Sequence, residues 1–117
     1  MDKLTHINEF LIYCKQYLNL NKLPKIQLKN DAEWSIQNKS FGGYIPGTSS
    51  MVVNIYNRHQ VDVFRTIAHE LIHYKQDLEN RLYDGAGETG SEIENEANSE
   101  AGIILRNFAK SNPDIFE

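Results

Sequence analysis

Between Gln60 and about Glu79, Val63, Phe64, Ile67, Leu71, Tyr74 and Leu78 recur at three- and four-residue steps, the period of a helix that buries one stripe. This helix constrains the chain most, because its middle reads His69-Glu70-Leu71-Ile72-His73. Two imidazoles four residues apart project from one helical face, one turn from each other. A second long stripe follows: Ile93, Ala97, Ala101, Ile104, Leu105 and Phe108. Ser91 stands before it as an N-cap, with Glu94 three residues on, the spacing of a capping box. Residues 83–91 join the two stripes and contain three glycines, which marks a loop.

The rest of the chain predicts an α+β fold in one domain over residues 1–117. Leu4, Ile7, Leu11, Cys14 and Leu18, with Phe10 beside them, outline an N-terminal helix over about residues 3–19. "KIQLK" alternates and reads as a short strand, and "EWSIQ" reads as a second. "FGGYIPGTSSMVVNIYN" reads as two strands around a turn, with Met51, Val52, Val53 and Ile55 in the more buried one. The expectation is a small, mostly antiparallel sheet between the first helix and the last two.

Composition narrows the function. The net charge is −4 and there is no basic run, so nucleic acid is not an expected partner. No apolar stretch approaches the length of a membrane span, and the first residues lack the pattern of a secretion signal, so a cytoplasmic location and no membrane partner are expected; the sequence does not fix the oligomeric state, and a monomer is assumed. With Cys14 as the one cysteine, a thiolate metal site and an internal disulfide are both excluded. Cys14 itself falls at an apolar-periodic position and is expected to be buried.

His-Glu-x-x-His is the spacing at which two imidazoles hold one zinc ion while the glutamate serves as a general base. A catalytic zinc takes three protein ligands and leaves one position open. No histidine follows His73, so the third donor is expected to be a carboxylate from the last helix, which offers Glu92, Glu94, Glu96 and Glu100. Glu96 and Glu100 are placed beside the Ala97 and Ala101 stripe. Glu94 is assigned to the opposite side as a solvated cap residue, and Glu92 to the fraying start. The residues alone therefore point to His69 and His73 on zinc, with Glu96 or Glu100 as the third donor and Glu70 as the catalytic base.

"HELIH" at 69–73 and "NEANSEA" at 95–101 resemble the gluzincin metallopeptidases, the thermolysin-like branch of the zincins, and the small size resembles the minigluzincins. The resemblance implies a zincin-like domain that hydrolyses peptide bonds with a zinc-activated water. It implies Glu96 as third ligand and Glu100 as the residue that orients a histidine. It also implies that an extended peptide or protein substrate lies along the strand at about Phe41–Ile45. Tyr44, His59 and Tyr83 are the candidates for stabilising an oxyanion. Three other readings stay open: a latent peptidase, a zinc-stabilised interaction module, and a SprT-like DNA-associated protease. The last uses a third histidine, which this chain lacks after His73.

Overall fold

The computed structural model describes residues 5–82 and 91–117. Along the chain run α1 (Ile7–Tyr17), β1 (Lys25–Lys29), α2 (Ala32–Asn38), β2 (Gly42–Ile45), β3 (Ser50–Asn54), α3 (Gln60–Leu78) and α4 (Glu92–Ser111). A 3₁₀ turn at Pro113–Phe116 closes the chain. The protein is thus an α+β fold with four α-helices and one three-stranded sheet among the described residues.

The sheet order is β1-β3-β2. β2 pairs antiparallel with β3, with Gly42 opposite Val53 and Tyr44 opposite Met51. β1 pairs parallel with β3, with Ile26 opposite Met51 and Leu28 opposite Val53. The sheet is therefore mixed, which corrects the mostly antiparallel expectation. The parallel pairing arises because α2 and β2 both lie between β1 and β3 in the chain, long enough a connection to return β3 in the direction of β1.

The "EWSIQ" strand is also corrected: it lies in α2. Asp31 caps this helix by accepting from the Glu33 N–H, and Lys39 ends it in the left-handed conformation. The buried Asn54 holds it in place, donating from Nδ2 to the Asp31 carbonyl and to Ser35 Oγ. Seven residues are two turns, too few for helical period to stand out against alternation.

α3 is the central element. It packs β2 and β3 on one side and α4 on the other, which is why its buried set (Val63, Phe64, Ile67, Ala68, Leu71, Ile72 and Tyr74) covers more than one stripe. Phe10 of α1 stacks on Phe64 with ring centroids 4.5 Å apart and meets Phe108 of α4 edge-on at 5.1 Å. Phe10 and Cys14 are fully buried, so the inward face of α1 is centred on Phe10. Burial raises the Cys14 thiol well above its ordinary range. Ala97 and Ala101 are buried in the α3–α4 seam, where small side chains let the two helices approach closely. His6 ties the two ends together: its Nε2 lies 2.6 Å from Asp114 Oδ2 and its ring meets Phe108 edge-on. Among the described residues no helix is long and apolar enough to cross a membrane.

Candidate metal centre

The two histidines stand on α3 as their spacing dictates, both half-buried against α4. Their Nε2 atoms are 3.1 Å apart. Glu94 of α4 faces both: Oε1 is 2.8 Å from His69 Nε2 and Oε2 is 3.2 Å from His73 Nε2. Among the described residues, His69, His73 and Glu94 have donor atoms all within 4.8 Å of one another.

The carboxylate that the fold brings to the two imidazoles is therefore Glu94 and not Glu96, which the sequence placed there. Helical arithmetic explains it. At roughly 100° per residue, position 94 falls about 20° from position 101, whereas position 96 falls about 140° from it. Glu94, Ala97 and Ala101 form an i, i+3, i+7 stripe facing α3. Ser91 Oγ does accept from the Glu94 backbone N–H, as the capping pattern predicted. That bond uses the backbone of Glu94 and leaves its carboxylate to the histidines.

Glu96 and Glu100 lie elsewhere. Arg81 donates to both Glu96 oxygens, from Nη1 at 2.8 Å and Nη2 at 2.9 Å. This guanidinium, helped by a hydrogen bond from Gln76, holds the Glu96 carboxyl below its ordinary range. Glu100 accepts from the Tyr17 hydroxyl at 3.2 Å and does not orient a histidine. Asn98 takes that position instead, one turn after Glu94, with a side-chain hydrogen bond to His69. Gln76 supports the other imidazole: His73 Nδ1 is 2.8 Å from Gln76 Oε1. Neither Asn98 nor Gln76 was picked out by sequence reading. The available signal was spacing, since Asn98 is Glu94 plus four and Gln76 is His73 plus three.

Glu70 lies on the flank of α3 that faces the sheet and is buried. Burial, with the charge of Glu94 adding to it, pushes its carboxyl up to about 8, and a backbone hydrogen bond from Tyr44 works the other way. His69 is shifted down, first by burial and further by the charge of His73, against the pull of Glu94 and Asn98. The Glu94 carboxylate thus faces two imidazoles, and its charge is felt by the buried Glu70.

Gly42 permits this closeness of β2 to α3. A Cβ there would lie 2.6 Å from Thr66 Cγ2, 3.0 Å from the Val52 carbonyl oxygen and 3.6 Å from Glu70 Cγ. Gly42→Ala is expected to cost about 1–3 kcal/mol by overpacking. Adding Thr66→Ser removes the closest methyl and should recover part of that loss, both read by urea unfolding.

The expected oxyanion groups are engaged elsewhere. The Tyr44 hydroxyl donates to Asp77, which also accepts from the Gly47 N–H and so pins the β2–β3 turn to the end of α3. His59 caps α3, its Nδ1 accepting from the Val61 N–H. Tyr83 lies outside the described residues. A cleft of about 690 Å³ opens at the N-terminal end of α3, lined by Ile36, Phe41, Tyr56, Arg58 and Arg65 among others. It includes none of His69, His73 and Glu94, and meets α3 at Asp62, Arg65 and Thr66, the last of these one turn before Glu70.

Comparison with family models, with curated proteins and with solved structures gives no match. The reading of this centre therefore rests on its own geometry and chemistry.

Proposed function

We propose that this chain is a zinc-dependent peptidase of the gluzincin kind, with a zincin-like arrangement of α3, α4 and the β2 edge. The observation that carries the reading is the Glu94 carboxylate turned onto both Nε2 atoms, beside a buried Glu70. Tetrahedral donors at roughly 2.0–2.1 Å from a zinc ion lie about 3.3 Å from one another. The two Nε2 atoms, 3.1 Å apart, match that spacing, each lies within 3.2 Å of one of the two Glu94 oxygens, and with one atom per residue the three donors fall within 4.8 Å of one another. Two imidazoles and one carboxylate are also the donor types that suit zinc.

His69, His73 and Glu94 would hold the ion. Zinc bound there would supply Lewis acidity toward a carbonyl and would acidify a water. Glu70 does the proton work. Without a metal, burial and Glu94 push its carboxyl up to about 8; a cation beside it would favour the ionised form, in which a carboxylate acts as a general base and can later return the proton. The Tyr44 backbone lies one hydrogen bond from that carboxylate, so a peptide extended along β2 would bring its chain past Glu70. Gln76 braces the His73 imidazole at Nδ1, behind the Nε2 that faces Glu94, as outer partners of metal ligands do, and Asn98 hydrogen-bonds His69.

One observation favours a second reading, a zinc-stabilised interaction module with little hydrolysis. Tyr44 and His59 are both committed to structural hydrogen bonds, so neither is free to stabilise an oxyanion. The experiment that separates the two begins with metal analysis of the purified chain. A peptide library is then incubated with it and read by mass spectrometry, with and without a chelator. The peptidase reading expects one zinc per chain and cleavage that the chelator abolishes. Zinc without cleavage would transfer the weight to the interaction module, and absence of zinc would remove both.

A further inference from the structure

Gln76 is a side-chain amide at 1% exposure between α3 and α4. A buried amide must satisfy its donors and its acceptor with distinct partners. Its Nε2 lies 3.2 Å from the Ile93 carbonyl oxygen and 2.8 Å from Glu96 Oε1. Both of those partners only accept. An amide turned the other way would set its oxygen against two oxygens, so Nε2 must face α4 and Oε1 must face His73. Oε1 only accepts, which places a proton on His73 Nδ1, 2.8 Å away. The neutral ring then carries its lone pair on Nε2, the atom 3.2 Å from Glu94 Oε2 and 3.1 Å from His69 Nε2.

We propose that Gln76, Glu96 and Arg81 are positioning residues that act in series to fix the tautomer and orientation of His73, presenting its Nε2 to the metal. This rests on the metal-centre reading above. Arg81 holds the Glu96 carboxylate with two parallel hydrogen bonds, at 2.8 and 2.9 Å. Glu96 then accepts from the Gln76 amide in a charge-assisted bond, and the amide oxygen is left with one orientation. The relay gives a role to Glu96 that is two hydrogen bonds removed from the imidazole. It also explains why an amide stands at 76: a carboxylate there would face Glu96 with like charge, and an aliphatic side chain would offer His73 no acceptor.

The test uses the full chain as wild type, as Gln76→Leu and as the exchange Q76E/E96Q. The exchange puts a carboxylate against His73 Nδ1 and an amide behind it, which keeps the acceptor toward His73 but loses the donor to the Ile93 carbonyl oxygen. Zinc affinity is read by competition with a chromophoric chelator, and denaturant unfolding follows the metal-free fold. Gln76→Leu is expected to weaken zinc about 10–100-fold, the range of a lost outer partner, and the exchange to return part of that. Zinc affinity that merely tracks metal-free stability in both variants would mean packing alone and would overturn the relay.

A second arm needs no metal and no variant. Long-range proton–nitrogen correlations of His73 in the metal-free wild type, at about pH 8.5 and so above the ordinary imidazole range, should report the Nδ1–H form. Finding Nε2–H there overturns the proposal even if zinc binds. Finding Nδ1–H in a chain that takes up no zinc sustains the relay and rejects the metal centre instead.

Discussion

Glu94→Ala is expected to empty the site, whereas Glu96→Ala leaves most of the zinc in place after dialysis. Glu94 is the one carboxylate within reach of both imidazoles among the described residues, with contacts of 2.8 and 3.2 Å. Its loss leaves two protein ligands, and a catalytic zinc site is built on three. The fall in affinity should therefore exceed the roughly 10–100-fold typical of an outer partner by a wide margin. Glu96 has no contact with either imidazole and acts through Gln76, so its removal should stay within that range. Metal content per chain, measured for the two variants side by side, checks the ranking. If Glu96→Ala empties the site and Glu94→Ala does not, the register of α4 against α3 described above is wrong. His69→Ala and His73→Ala should behave like Glu94→Ala.

The same pair of residues shows how far the sequence could be read. α3 and α4 were legible because each carries five turns of apolar period, and the stripe through Ile93, Ala97, Ala101, Ile104, Leu105 and Phe108 is the one that is buried. The Ser91 cap and the β2–β3 turn were legible from residue chemistry. Both histidines came with the motif. Glu94 was missed because the capping pattern already gave it a role. A residue at the third position of a helix can cap through its backbone N–H while its side chain does something else. Counting angles along the stripe would have put it next to Ala101. Gln76 and Asn98 were illegible for another reason: an amide that braces a ligand has no pattern of its own until the ligand's direction is known. α2 failed on length, since two turns flanked by Asp31 and Lys39 show their helical character in the caps and not in the period.

Glu70→Gln is the substitution with the largest expected effect on chemistry. Glu70 holds none of the three donor positions, and its side chain lies on the sheet flank of α3, so zinc content should stay at the wild-type level. Glutamine keeps the size of the side chain and its capacity to accept the Tyr44 backbone hydrogen bond. It cannot take up a proton. Peptide hydrolysis should fall by about 10²–10⁴-fold, the contribution of a positioned general base. The pH profile carries the second half of the argument. In the metal-free chain the Glu70 carboxyl is pushed up to about 8 by burial and by Glu94. A cation beside it favours the ionised form, so the acid limb of the active enzyme should lie below that value. Activity is expected to rise as Glu70 ionises, and Glu70→Gln should lose that rise together with the rate. Cleavage that persists in Glu70→Gln with an unchanged pH limb would assign the hydrolysis to another group or another protein. Loss of zinc along with activity would place Glu70 among the ligands, and the open position of the site would have to be sought on a different side of the metal.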